Sequence, residues 1–269
     1  NIREVIPSEY KAVFIKDDGT AWAHGWVNGV GGKVIEYKGG HKFITGNGGL
    51  YNTLLLEESG DVYVNNPNAD ILTAFLTDVQ GTLFKAIAVE CQMRTYFAIR
   101  TDGTIWMQGY NSSRWFGTDA NLQLNKWNKI PGQPNVRFKA IVKGAQLVGL
   151  TEGGMVYTLA DGSVNWIKKE LPGSVQKILA NDNGTYIAII NWMPVGWGQS
   201  RYLTGVTGII SSYRELAADW GITAPIRDIA INANAVHFID VEGRLFGMGD
   251  NAQGEIGDGK ELVNRQELY

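Results

Sequence analysis

The chain has 269 residues, of which 44% are apolar and 19% charged, and its formal net charge is −3. This length allows a large buried core, while the acidic balance argues against a nucleic-acid surface, which needs clustered Lys and Arg. The sequence contains no run of 18 apolar residues, the length needed to span a membrane. The single cysteine, Cys91, excludes an internal disulfide and a Cys-rich zinc site. We therefore expect no nucleic-acid partner and no membrane span, and we interpret Cys91 as a buried structural thiol.

A pattern of two strands joined by a glycine turn occurs six times along the chain. An apolar strand of about four residues runs into an acidic-Gly turn, and a second strand ends in an aromatic residue and a glycine; residues 97–109 and 238–249 are the clearest copies. Glycine supplies the positive φ that a tight hairpin turn requires. In chain order, the position that closes the second strand falls at Gly25, Asn66, Gly109, Ala160, Gly198 and Gly249. The fifth copy, residues 188–198, is one residue shorter and lacks the turn glycine.

Another strand is predicted upstream of each hairpin. These strands begin near residues 2, 42, 84, 138, 175 and 226, and the strand that follows each of them is largely apolar, as expected when both faces are covered. Between copies, residues 68–76 and 213–220 are predicted to form short helices or turns. Small antiparallel sheets of about four strands, repeated and stacked face to face, describe a β-propeller. We predict an all-β propeller of six blades, with a seventh, degenerate blade as the alternative, forming a single domain over residues 1–269.

Two copies also carry a family resemblance. Residues 247–259 read Gly-Met-Gly-Asp-Asn-Ala-Gln-Gly-Glu-Ile-Gly-Asp-Gly, which resembles the repeat of the regulator of chromosome condensation (RCC1) family. Residues 109–117 follow the same frame, but Arg114 and Trp115 stand where Gly and Gln are usual. The resemblance is weaker in the other copies. It implies an RCC1-like propeller, and since such propellers serve as exchange factors, enzyme inhibitors and scaffolds, it favours a protein partner.

The sequence contains no motif typical of catalysis or of metal binding. Three histidines, His24, His41 and His237, lie in three different copies, and no His pair has metal-ligand spacing. We therefore predict no catalytic, cofactor-binding or metal-ligating residue and no cofactor. Paired carboxylates such as those at 17–18 and 57–58 lie in or beside hairpin turns, where solvated acids are the simpler explanation. A carbohydrate-active enzyme with two inward-facing acids at the propeller axis remains an alternative.

Aromatic residues outside the repeat's core positions are the candidates for a binding surface. Nine Trp and eleven Tyr exceed what the sheet cores need, and exposed aromatic rings anchor protein partners or stack on sugars. The candidate binding residues are Trp26, Tyr110, Arg114, Trp115, Trp192, Trp197 and Trp220. The alternative for each ring is that it packs beneath its own loop.

These features predict a non-catalytic propeller that binds a protein partner through loops on one face. A glycan-binding module of a larger secreted or surface protein, bacterial or phage, is the first alternative, favoured by amide neighbours such as Asn111, Asn191 and Gln199. Candidate aromatics that cluster on one face beside Asn, Asp and Arg would favour the glycan, and scattered ones the protein partner. We expect the chain to be part of a larger polypeptide or assembly, and a secreted, cell-surface or virion location over a cytoplasmic one.

Overall fold

The fold is described from a computed structural model, which covers residues 1–8, 11–27, 30–49, 52–65, 72–205, 207–232 and 235–249. The chain divides into two compact units, the first formed by Asn1–Ile141 with Asp161–Asn165 and the second by Val142–Ala160 with Trp166–Tyr269. The single domain over residues 1–269 stays a prediction. Within the described ranges, no helix has the length and apolar character needed to cross a bilayer.

The first unit contains three antiparallel sheets of four strands each, in which strands that are consecutive in the chain are neighbours. Sheet 1 consists of β1 (Ile2–Pro7), β2 (Lys11–Lys16), β3 (Ala21–Val27) and β4 (Val30–Glu36). Sheet 2 consists of β5 (Phe43–Gly48), β6 (Thr53–Glu57), β7 (Val62–Asn65) and β8 (Leu72–Ala74). Sheet 3 consists of β9 (Ala86–Gln92), β10 (Thr95–Arg100), β11 (Ile105–Tyr110) and β12 (Gln123–Lys129).

The other three sheets follow the same order of strands. Sheet 4 consists of β13 (Phe138–Lys143), within which the first unit gives way to the second, β14 (Gln146–Thr151), β15 (Val156–Ala160) and β16 (Ile167–Lys169). Sheet 5 consists of β17 (Val175–Ala180), β18 (Thr185–Ile190), β19 (Met193–Gln199) and β20 (Ile209–Glu215), with the short helix α1 (Arg201–Thr204) before β20. Sheet 6, among the described residues, consists of β21 (Ile226–Ile231), β22 (Ala235–Asp240) and β23 (Leu245–Gly249).

The two segments predicted as short helices or turns contribute to outer strands, and only the later part of the second segment forms a turn as predicted. Residues 72–74 form β8 and residues 213–215 end β20, while residues 217–221 form a turn; residues 68–71 lie outside the described ranges. Both strands pair with the third strand of their sheet. The third strand has backbone N–H and C=O groups that need partners along its edge, and this requirement outweighs the local helical pattern.

The predicted glycine turns connect the second and third strands of five sheets. Gly19, Gly60, Gly103, Gly154 and Gly243 all have φ between +79° and +84°, as the sequence pattern predicted. In sheet 5, Ile190 pairs directly with Met193, and only Asn191 and Trp192, at φ +51° and +64°, connect the strands. Two consecutive residues with positive φ in a two-residue hairpin are typical of a type I′ turn. The shorter turn accounts for the missing residue of the fifth copy.

Each of the first five hairpin tips is hydrogen-bonded to the beginning of the following sheet. A carbonyl in the tip accepts a bond from an amide where the next first strand begins. The pairs, with N···O distances, are Gly19 to Phe43 (2.9 Å), Gly60 to Ala86 (2.8 Å), Gly103 to Phe138 (2.9 Å), Gly154 to Val175 (3.0 Å) and Trp192 to Ile226 (2.9 Å). Consecutive sheets are therefore tied together at their tips.

Buried clusters join sheets 1 and 2, sheets 2 and 3, and sheets 5 and 6. In sheet 2 the cross-strand pair next to the tip, here called the forward column, faces the following sheet: Leu56 and Val62 share a buried cluster with Ala98 and Trp106 of sheet 3. Ala98 and Trp106 pair with each other across β10 and β11, one cross-strand pair further from the tip of sheet 3. They belong to what we call the backward column, which faces the preceding sheet. Trp106 is buried, as its core position in the repeat predicted.

Candidate functional site

Three of the candidate tryptophans lie inside cores. Trp115, Trp197 and Trp220 are 2–4% exposed. The ring of Trp115 meets Phe97 edge to face at a centroid distance of 5.9 Å, and that of Trp197 stacks on Tyr186 at 5.4 Å. Trp220 stacks on a phenylalanine of sheet 6, and its Nε1 donates to a backbone carbonyl at 2.8 Å. These rings fill space between packed elements, which is the alternative stated for each of them.

The loop that carries Tyr110, Arg114 and Trp115 is organised by Asn111. The buried Asn111 amide donates to the carbonyls of Gly117 and Asp119, each at 3.1 Å, and its Oδ1 accepts from the amide of residue 116. Arg114 is exposed at φ +55°, in the left-handed region that glycine adopts with the least strain. Tyr110 is partly exposed at the end of β11. Asn111 therefore supports the loop rather than offering an amide to a ligand.

Among the candidate tryptophans whose side chains the structure describes, Trp192 is the exposed one. Its side chain is 54% exposed at the tip of the β18–β19 hairpin. A bulky side chain at positive φ is rare, and the left-handed conformation costs roughly 1–2 kcal/mol. Like the tip glycines, Trp192 has the positive φ that the hairpin turn requires, but it carries a large, exposed ring. Trp26 lies in β3, and its side chain is outside the described residues.

The tips on either side of Trp192 are its neighbours in space. The amide of Val241, in the sheet 6 tip, donates to Pro225 O at 3.0 Å, and Pro225 precedes Ile226, which binds the Trp192 carbonyl. On the other side, Val175 binds the sheet 4 tip and pairs with residue 190, immediately before the Trp192 turn. The tips of sheets 4, 5 and 6 thus follow one another along one end of the second unit.

These three tips carry exposed apolar side chains. Met155 is 38% exposed and Val241 54% exposed, equal to Trp192. We call Met155, Trp192 and Val241 the tip surface. The sequence analysis missed Met155 and Val241, although the signal was present: they stand in or beside turns that are polar in the first three copies.

The tips of the first unit are acidic and form hydrogen bonds within their own turns. Asp18 Oδ1 accepts from the hydroxyl of Thr20 at 2.7 Å and from its amide at 2.9 Å, and these bonds lower the pKa of Asp18. Asp102 makes the same two bonds with Thr104. In the part of the chain that the structure describes, no group of three or more His, Cys, Asp or Glu side chains could hold a metal ion.

A buried polar cluster lies at the opposite ends of the strands in the first unit. Lys11 is buried and its ammonium group donates to Asn65 Oδ1; burial lowers the pKa of Lys11 to about 8. Cys91 is buried, as predicted, and burial raises the pKa of its thiol. The amide of Asn52 donates to the Tyr96 hydroxyl. Lys11, Asn65, Cys91 and Tyr96 are all buried, so these side chains are shielded from solvent.

Comparison with known proteins identifies the fold. No protein-family model and no curated protein sequence matches the chain. Among solved structures, human WBSCR16 matches with a TM-score of 0.83 and 12% identity, over 100% of this chain and 81% of that chain. Prp20p of Saccharomyces cerevisiae, described with its binding to Gsp1p and histones, matches with a TM-score of 0.81 and 10% identity, over 99% and 76%. Yeast RCC1 (Prp20) with Kap60 bound to it gives the same TM-score and identity, over 99% and 74%.

These structural neighbours are propellers of the RCC1 family, at identities that show the fold alone. A six-bladed propeller is indicated by the six sequence repeats, by the six sheets and by the structural matches over nearly the full chain. The chain is an all-β, six-bladed, RCC1-like β-propeller.

Proposed function

We propose that this propeller is a non-catalytic binding module that recognises a protein partner through the tip surface of its second unit. The observation that carries the proposal is Trp192, whose large ring is 54% exposed on a backbone that disfavours it. Strained residues concentrate at functional sites, where the rest of the fold maintains them. Tryptophan is also among the residues that contribute most to binding energy at protein interfaces.

The surroundings of Trp192 suit a protein interface. Met155 and Val241 supply apolar area on the neighbouring tips. Beside Val241, Arg244 pairs with Asp240 at 2.6 Å and with Glu242 at 3.0 Å, so each of these charged groups has a partner within the tip. An apolar centre beside a paired, polar rim is the usual anatomy of a protein interface.

Proteins of the same fold bind protein partners. Prp20p is described with Gsp1p and histones, and in a second structure with Kap60. At 10% identity we take from this only the class of partner, and none of those partners is assigned to this chain.

The scattered positions of the candidate aromatic residues support a protein partner rather than a glycan. A sugar-binding face needs several rings on one side, whereas Trp115, Trp197 and Trp220 are buried in cores. The amide of Asn111, a proposed sugar ligand, bonds within its own loop. Acids such as Asp18 and Asp102 likewise bond within their turns, which supports a non-catalytic role.

The proposal is tested by capture from native extract with matched baits. Wild-type protein and Ile167→Ser, which alters an exposed apolar residue away from the tips, should retain the same partner. Trp192→Gly should bind it at least about tenfold more weakly, the loss expected for an interface hot spot. A partner held equally by all three baits would contradict the proposal. Binding on a glycan array that Trp192→Gly abolishes would establish the glycan alternative instead.

A further inference from the structure

Two strained residues with long side chains lie at the end of sheet 3 that is opposite its tip. Met93, in the turn between β9 and β10, has φ +53°, and Arg114, in the loop after β11, has φ +55°. Among the described residues, four that are not glycine have positive φ, and the other two form the Asn191–Trp192 turn. Both Met93 and Arg114 are exposed. Two strained positions thus present long side chains to solvent at one end of one sheet.

Backbone hydrogen bonds hold the turn and the loop next to each other. The amide of Tyr110, at the end of β11, donates to the carbonyl of Arg94 in the β9–β10 turn at 3.2 Å. The amide of Asn111 donates to the carbonyl of Leu122 at 2.9 Å, and the carbonyl of Asn111 accepts from the amide of Arg114 at the same distance. The turn, the strand end and the loop therefore form one connected surface.

Neither the turn nor the loop needs a long side chain at these two positions. Glycine adopts the left-handed region with the least strain, and the turn before β18 in sheet 5 has Gly184 at φ +82°. Residues with a strained backbone persist where the surrounding structure maintains them, and they concentrate at functional sites. The strain at Met93 and Arg114 therefore indicates a role for their exposed side chains.

The exposed groups at this end of sheet 3 combine positive charge with apolar area. Arg94 and Arg114 are exposed, Leu122 is 39% exposed and Tyr110 is partly exposed. The loop after β11 contains one acidic residue, Asp119, whose Oδ1 accepts from a backbone amide of the same loop. Arginine, tyrosine and methionine are enriched at protein interfaces, and arginine binds carboxylates through two parallel hydrogen bonds. We use the name sheet 3 surface for Met93, Arg94, Tyr110, Arg114 and Leu122.

We propose that the sheet 3 surface is a second protein-binding surface, which recognises a segment carrying an Asp or Glu side chain beside an apolar one. The carboxylate of the partner would pair with Arg114, and its apolar side chain would pack on Met93 and Leu122. Charge complementarity selects an acidic partner, because two exposed arginines lie on this surface. The surface belongs to the first unit and does not involve the tip surface, so it is independent of the proposed function.

The experiment is a selection of displayed random peptides on the immobilised protein, followed by fluorescence anisotropy with the selected peptides in synthetic form. Wild type should select peptides that contain Asp or Glu. Arg114→Gln should bind them at least about tenfold more weakly, and peptides with Asn or Gln in place of the acids should lose as much affinity. Lys139→Gln is the matched control, because it removes the same charge from an exposed position on β13. It should bind like wild type.

A stability measurement distinguishes binding from a structural role. Met93→Gly and Arg114→Gly should raise the urea midpoint of unfolding, because glycine relieves the strain at positive φ, while each weakens peptide binding. The proposal is overturned if both midpoints fall, if no selected peptide depends on Arg114, if the dependent peptides lack acidic residues, or if Lys139→Gln weakens binding equally. Binding of single-stranded oligo-dT that Arg114→Gln abolishes would assign the surface to a nucleic acid and would also overturn the proposal.

Discussion

At the scale of single residues, Trp192 is where local stability and the proposed binding role conflict. Its φ of +64° belongs to the region where glycine is favoured, and it follows Asn191, which tolerates the same region. Asn-Gly is the dipeptide most favoured in type I′ hairpin turns. A tryptophan in the second position is therefore not explained by the turn.

Replacing Trp192 by glycine should stabilise the fold while it weakens partner binding. We expect Trp192→Gly to raise the free energy of unfolding by about 1 kcal/mol, because it relieves the strain of a side chain at positive φ. Trp192→Ala is the matched control, since it removes the ring but retains a Cβ. Its free energy of unfolding should therefore increase little. Urea denaturation measures the free energy of unfolding of both variants. A loss of stability in Trp192→Gly would mean that the ring contributes packing energy, which would weaken the case for a binding role.

Lys11 makes the stability of the fold depend on pH. Burial lowers its pKa from 10.5 to about 8 in the folded state, so the unfolded chain binds the proton more tightly. Between about pH 8 and 10.5 the unfolded state holds more protons, and the contribution of Lys11 to stability rises with pH; below pH 8 the penalty for burying the charge is fully present. Cys91 acts in the opposite sense, because burial raises its thiol pKa and the unfolded thiol ionises first.

The effect of Lys11 is isolated by comparison with Lys11→Met, which keeps the length of the side chain but cannot ionise. The free energy of unfolding of wild type, minus that of the variant, should increase by up to about 3 kcal/mol from pH 8 to pH 10.5. Denaturant titrations at several pH values give this difference. Parallel pH profiles for the two proteins would show that the amine is solvated in the folded state.

At the scale of structural elements, the hairpin tip both turns the chain and positions the next sheet. The tip glycine has positive φ, and its carbonyl accepts a hydrogen bond from the beginning of the following sheet. The space beside the glycine is therefore limited wherever a sheet follows. Glycine at these positions satisfies a local requirement for φ and a tertiary requirement for close approach.

Gly103→Ala and Gly243→Ala separate these two requirements. Both glycines have nearly the same φ, +81° and +83°, so both alanine variants should lose about 1 kcal/mol to backbone strain. A Cβ on Gly103 also lies 2.8 Å from the Cα of Arg137, which should add roughly 1–3 kcal/mol for overpacking. Chemical denaturation should show the larger loss in Gly103→Ala. Equal losses would mean that the tip of sheet 3 has room to relax.

At the scale of the whole molecule, the burial of the second strand differs from sheet to sheet. Internal sheets such as sheets 2, 3 and 5 have second strands that are buried on both faces, whereas β2 and β22 retain a period of two. In repeat proteins each unit is stabilised mainly by its neighbours, so the burial of a second strand reflects how far the neighbouring sheets cover its two faces.

The sequence by itself determined the repeat, the six sheets and the turns. These features are local, because a glycine turn depends on the φ of one residue and a strand on a pattern of a few residues. The fate of the tryptophans was decided only by the tertiary structure. Trp220 is buried because it stacks on Phe238 and bonds to Leu203, residues 18 and 17 positions away, while Trp192 is exposed at the tip of its hairpin. Burial depends on neighbours that are distant in the chain, so composition alone could not rank the candidate rings.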